Sequence, residues 1–290
     1  MKPLSDILQI TLTYPGPFGA MLRAASVVGL LFLLWVLGRL LAAAWQLVPR
    51  PGVGFFALSF CCWLTWQVCG DTIADGLQLL ETPVYAGAYD SLGPDAKAAA
   101  FERILQQQVS PEHFGLIQQQ TAATAAKLGV APADIYAVCY AECGLNPFVR
   151  NVQQGRTVAA GWIQFTGVGC QSVPGLNMKQ VQQACDSRDA ARMLQWSDAY
   201  LVSAAAGKPL RGALDVYLCL FAPSKVGAPA GEVLYKGYDN PAYYQNAGID
   251  GWVKQPNGRI LRLRSRCDGI ITVGELGLRL EYFTNKICQE

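Results

Sequence analysis

Residues 24–48 form an apolar run broken only by Ser26, Arg39 and Gln46, and no other feature limits the possible folds of this chain so strongly. At about 1.5 Å rise per residue the run can cross a hydrocarbon layer about 30 Å thick. In lipid the backbone must satisfy its own hydrogen bonds, so the segment is expected to be helical. After Pro49-Arg50-Pro51 comes a second apolar run, Gly52 to Gly70, holding Phe55, Phe56, Cys61, Cys62, Trp63 and Trp66. Its length just suffices for another span. We read residues 24–70 as a transmembrane hairpin; one span followed by a buried or interfacial helix is the alternative. Arg39 would cost about 2.5–3.5 kcal/mol at mid-span unless it snorkels or pairs. A cleavable signal fits poorly, because the run begins late, is too long and lacks a convincing cleavage site. Residues 1–23, with the Pro15-Gly16-Pro17 break, are expected at the membrane surface. Lys2 and Arg23 before the first span nearly balance Arg39 and Arg50 near the turn, so charge leaves the orientation open.

Composition narrows the chemistry. The chain has 290 residues, 52% apolar and 15% charged, with a formal charge of +2, too small to argue for nucleic-acid binding. His113 is the only histidine, which disfavours histidine triads and histidine-rich metal sites. The ten cysteines include no Cys-x-x-Cys pair, so zinc is not suggested.

From Asp71 the patterning becomes that of a helical protein. Residues 71–110 read as a connector that turns helical after Ser91-Leu92-Gly93-Pro94-Asp95 and runs to about Val109. Ser110-Pro111-Glu112 starts a helix reaching Leu128 before Gly129, and Pro132-Ala133-Asp134 starts one ending near Glu142. Further helices are expected at about 177–184, 187–206 and 210–221. Strands are scarce: 252–255 and 259–262 around Pro256-Asn257-Gly258 make one hairpin candidate. Cysteines are dense here, suiting an oxidising space, and Cys170 with Cys185 and Cys267 with Cys288 are the pairings we expect.

The chemistry concentrates at Glu142. It stands at the end of its helix in Glu142-Cys143-Gly144-Leu145-Asn146-Pro147, and after a loop comes Gly161-Trp162-Ile163-Gln164-Phe165. Later runs are Tyr217-Leu218-Cys219-Leu220-Phe221-Ala222-Pro223 and Tyr244 to Asp250. In this order, over roughly residues 111–275, these segments resemble soluble lytic transglycosylases and goose-type lysozymes, phage-associated members in particular. The family's first motif, Glu-Ser-x-x-Asn-Pro, is met by Glu142, Asn146 and Pro147, with Cys143 in place of serine. Its second, Gly-Leu-Met-Gln-Ile/Leu-Met-Pro, is met by Gly161 and Gln164, with Thr166-Gly167 in place of Met-Pro. The gap between them is longer than usual, with Gln153–Arg156 read as the insertion.

The resemblance implies a mainly α, lysozyme-like domain over 111–290 and cleavage of peptidoglycan between N-acetylmuramic acid and N-acetylglucosamine. It implies no cofactor and no metal. Glu142 would be the general acid, with Asn146, Gly161, Trp162, Gln164 and Tyr217 binding substrate. Glycosidic cleavage needs a proton on the leaving oxygen as oxocarbenium character develops. A carboxyl group walled by apolar side chains, here Tyr140, Leu145, Trp162, Ile163 and Phe165, stays protonated toward neutral pH. Amides such as Asn146 and Gln164 can bond N-acetyl and hydroxyl groups, and Gly161 would let backbone approach a sugar. No acid follows Glu142 until Asp186, and Asp186, Asp189, Asp198, Asp215 and Glu232 carry no partner motif. A lone carboxylate suits a transglycosylase, whose substrate supplies its own 6-hydroxyl as nucleophile.

The resemblance also implies a setting: a phage virion enzyme that opens the cell wall during genome delivery, anchored in a membrane with its catalytic domain on the cell-wall side. Its expected partners are glycan strands, lipid and other virion or membrane-complex proteins. A transglycosylase of a bacterial secretion or conjugation machine, and a structural protein that binds peptidoglycan without cutting it, are the alternatives. Finally, Asp268-Gly269-Ile270-Ile271-Thr272-Val273-Gly274-Glu275 matches the second half of an EF-hand loop, but Arg264 and Arg266 fall where acidic ligands belong. We read Trp252–Arg266 as an insertion that splits a loop beginning at Asp250, leaving a degenerate tail.

Overall fold

The computed structural model describes Tyr89 and residues 91–287, which are mainly helical. The 1–23 segment, the expected hairpin at 24–70 and Cys288 lie outside the described residues. Among those described, no helix is long and apolar enough to cross a membrane.

Proline and glycine punctuation sets the first three helices. α1 (Pro94–Gln108), α2 (Pro111–Leu128) and α3 (Pro132–Cys143) each begin on a proline, whose missing N–H costs nothing in the first turn. The cap of α1 is Gly93 rather than Ser91. Ser110 caps α2 by accepting from the His113 N–H at 3.3 Å. The Asp134 carboxylate accepts from the Ala131 N–H at 3.0 Å at the start of α3. Gly129 and Gly144 close α2 and α3 in the left-handed conformation that glycine adopts without penalty.

α3 is apolar nearly all round and is accordingly central. Ile135, Tyr136, Ala137, Val138 and Cys139 are buried along it. It is packed by α1, α2, α7 (Ala213–Phe221) and α9 (Val273–Ile287). Between α3 and α7 come α4 (Gly167–Cys170), α5 (Met178–Ser187) and α6 (Ala190–Ala205), with α6 against α2 and α7.

Among the described residues the strands form three two-stranded pieces. β1 (Arg150–Gln153) and β2 (Arg156–Ala160) make an antiparallel hairpin turned at Gln154 (φ 50°) and Gly155 (φ 74°). This is the left-handed pair that tight hairpin turns require. The stretch read as an insertion is therefore a hairpin tip. β3 (Val233–Lys236) pairs with β6 (Ile270–Thr272), and α8 (Pro241–Asn246) follows β3. β4 (Trp252–Lys254) and β5 (Ile260–Arg262) form the expected hairpin, closed by Gln255 N–H on Arg259 C=O at 2.8 Å.

Of the described residues, those from Tyr89 to Trp252 and 268–287 belong to one compact unit, and Val253–Cys267 falls outside it. The expected Cys170–Cys185 disulfide is not formed: both are free, buried thiols. Cys170 Sγ lies 3.5 Å from Met178 Sδ, packed as a small apolar side chain. Cys267 Sγ lies 3.5 Å from Arg262 Nη2 and 3.6 Å from the Leu263 carbonyl, and its expected partner Cys288 is outside the described residues.

Candidate active site

Glu142 is the penultimate residue of α3, at the negative end of the helix dipole. Its side chain keeps only 15% of its exposure. The Tyr217 hydroxyl, from α7, donates to Oε1 at 2.5 Å. Arg279, from α9, brings Nη1 to 3.4 Å from the same oxygen and Nη2 to 3.4 Å from the Ala141 carbonyl. Among the described residues Oε2 accepts no hydrogen bond. Burial pushes the Glu142 carboxyl above the ordinary glutamate range, and Arg279 pulls against that rise without cancelling it. Burial likewise lowers the affinity of Arg279 for its proton, opposed by Glu142.

The two motifs interlock. Cys143 Sγ lies 3.1 Å from the Cys139 carbonyl and 3.3 Å from that of Trp162, so the residue after Glu142 grips the residue after Gly161. A serine hydroxyl could make the same contacts. Asn146 accepts from the Phe148 N–H at 3.0 Å, and the Val149 N–H reaches the Asn146 carbonyl at 3.3 Å. Gly161 N–H bonds Val149 C=O at 2.9 Å, while Gln164 Nε2 donates to Gly161 C=O at 2.9 Å and Val149 C=O at 3.3 Å. Leu145 (φ 64°) and Gln164 (φ 53°) are both left-handed without being glycine. Strain of this kind gathers at functional sites.

Three expected binding residues have structural duties. A Cβ on Gly161 would stand 2.3 Å from Met193 Sδ, so the close approach its lack of side chain permits is to α6. Trp162 is 2% exposed and, with Ile135, Leu194 and Leu201, lines a small partly open pocket. The Asn146 side-chain oxygen is spent on its own turn. Leu145, Ile163 and Phe165 are buried, and Tyr140 packs edge-on against Phe283 at 6.3 Å. Sequence reasoning missed Arg279 and Phe283, because on an amphipathic helix an arginine resembles any solvent-facing residue.

The other acids are committed elsewhere. Asp186 pairs with Arg150 at 3.0 Å, Asp198 with Lys127 at 2.7 Å, and Glu232 with Lys225. Asp189 caps α6, and Asp215 holds Arg211 at 2.9 Å and the Gly227 N–H at 3.1 Å.

The EF-hand-like tail closes around protein donors. Asp250 is fully buried and accepts from the Tyr243 hydroxyl at 2.5 Å, the Asp268 N–H at 3.3 Å and the Gly269 N–H at 3.0 Å. Glu275 accepts from Gly251 N–H at 2.8 Å, and from Thr272 N–H and hydroxyl at 3.0 Å each. Glu275 N–H in turn reaches Thr272 Oγ1 at 3.2 Å, a capping box that starts α9. The described residues contain no group of three or more His, Cys, Asp or Glu able to hold a metal. Compared with known proteins, the chain matches no family model, no curated protein and no solved structure.

Proposed function

We propose that this protein is a peptidoglycan lytic transglycosylase with a lysozyme-like helical domain, in which Glu142 acts as acid and then as base. The single observation that carries the reading is the state of the Glu142 carboxyl: mostly buried at a helix end, raised in proton affinity, held at one oxygen by Tyr217 and, among the described residues, without a donor at the other. In the first half-reaction the proton of Glu142 passes to the glycosidic oxygen as the C1–O4 bond breaks. In the second, the muramyl 6-hydroxyl adds to C1 and returns its proton to Glu142, giving a 1,6-anhydro end. The engagement of Asp186, Asp189, Asp198, Asp215 and Glu232 in other interactions supports a one-carboxylate mechanism over a two-carboxylate hydrolase.

The setting follows from the sequence. Residues 24–70 anchor the chain in a virion or host inner membrane, and the enzyme acts on the cell wall during phage genome delivery, alongside other virion or membrane-complex proteins. The test is the product. Full-length protein in detergent, incubated with purified peptidoglycan, should release 1,6-anhydro-muropeptides detectable by mass spectrometry. Reducing-end products would replace the transglycosylase with a hydrolase; binding without cleavage would leave a peptidoglycan-binding structural protein.

A further inference from the structure

We propose that Arg279, delivered by α9, is a positioning residue for Glu142: its guanidinium steadies the carboxyl beside Tyr217 and supplies the positive charge needed while the carboxylate acts as base. The inference rests on the transglycosylase reading and adds a residue that lies outside every motif.

Glu142 is poorly placed to be an anion. It is mostly buried, and it sits at the negative end of α3. The titratable groups facing it are the Tyr217 phenol from α7, Arg279 from α9 and the Cys139 and Cys143 thiols of its own helix. Burial keeps both thiols neutral, and among the described residues no charged group of α1 or α2 acts on the carboxyl. Arg279 is therefore its one counter-charge among the described residues. The guanidinium is itself held in place, 5.6 Å from the Tyr217 ring and 5.2 Å from the Phe283 ring, with Nη2 on the Ala141 carbonyl. Without it, donating the proton would strand a buried anion before the 6-hydroxyl could return a proton.

The experiment compares Arg279→Gln, Arg279→Met and Arg279→Lys in the full-length protein. The neutral variants should lose about 10- to 100-fold in kcat with KM little changed, as misplacement of a reacting group does. The alkaline limb of their pH–rate profile should move to higher pH, and Arg279→Lys should bring it back. Unmoved limbs would overturn the proposal even if activity fell. Arg279→Met retains packing between the two rings, so a folding defect in the glutamine variant does not decide the matter. If the wild type releases no anhydro product, the enzyme reading fails, yet the arginine is still tested. The Glu142 carboxyl, followed by 13C NMR and assigned with Glu142→Gln, should titrate at higher pH in the neutral variants, and an unchanged titration would refute the role.

Discussion

The carboxylates at Glu142 and at Asp250 with Glu275 differ in one respect that, on the proposed reading, would separate a proton carrier from a brace. Burial raises the proton affinity of Glu142 and of Glu275 alike, so burial is not the difference. Donor supply is. Glu275 has both oxygens occupied, by Gly251 and Thr272, and Asp250 is held by Tyr243, Asp268 and Gly269. Glu142 has one oxygen held and one open among the described residues. A carboxylate saturated by its own fold locks a loop; one left half-satisfied can hand a proton to a ligand.

Glu142→Gln should show the largest effect. The amide keeps the shape but cannot deliver a proton, so cleavage should fall by at least about 10²–10⁴. Stability supplies an independent sign. A carboxyl raised on folding holds its proton more tightly in the native chain. Its contribution is full below the ordinary glutamate range and is lost as pH rises through the folded value. Melting curves should thus show the glutamine variant gaining on the wild type from acid to alkaline pH. A pH-independent difference would mean that Glu142 is not desolvated.

At the brace, Asp250→Ala strands a buried hydroxyl and two N–H groups. We expect a loss of about 3 kcal/mol in denaturant unfolding, since each stranded group costs about 1–3 kcal/mol and the site partly relaxes. An unchanged midpoint would show that the brace is not closed. Tyr217→Phe removes one hydrogen bond worth about 1 kcal/mol, so cleavage should slow about fivefold. Loss as complete as that of Glu142→Gln would make Tyr217 a proton carrier in its own right. The smallest effect concerns calcium. Millimolar calcium should change neither melting temperature nor activity, because the tail's carboxylates already accept from the protein. A ligand at a hundred times its Kd adds about 2.7 kcal/mol to native stability. A shift of several degrees, abolished by Glu275→Ala, would erase the distinction between the two groups.

Much of the helical framework was legible before folding was considered. The expected starts at Pro94, Pro111 and Pro132 and the stops near Val109, Gly129 and Glu142 match the observed helices. Those signals are local: a proline without N–H, a capping serine, a glycine that turns left-handed. The Asn257-Gly258 hairpin was legible for the same reason. The β1–β2 hairpin was not, because its strands are largely exposed and show no inside–outside alternation.

The sequence by itself determined where the first helices begin and end, and that Asp250 and Asp268 meet only if 252–266 folds out as a hairpin. The tertiary structure alone decided what surrounds those residues. Gly161 is small because of Met193, Trp162 belongs to the interior, and Cys170 and Cys185 stay apart as thiols. It also brought Arg279 to Glu142 across 137 residues of chain. The reason is physical. Caps and turns are set by interactions within a few bonds, whereas desolvation and ion pairing depend on which distant surfaces fold against each other, and α3 ends where α7 and α9 converge.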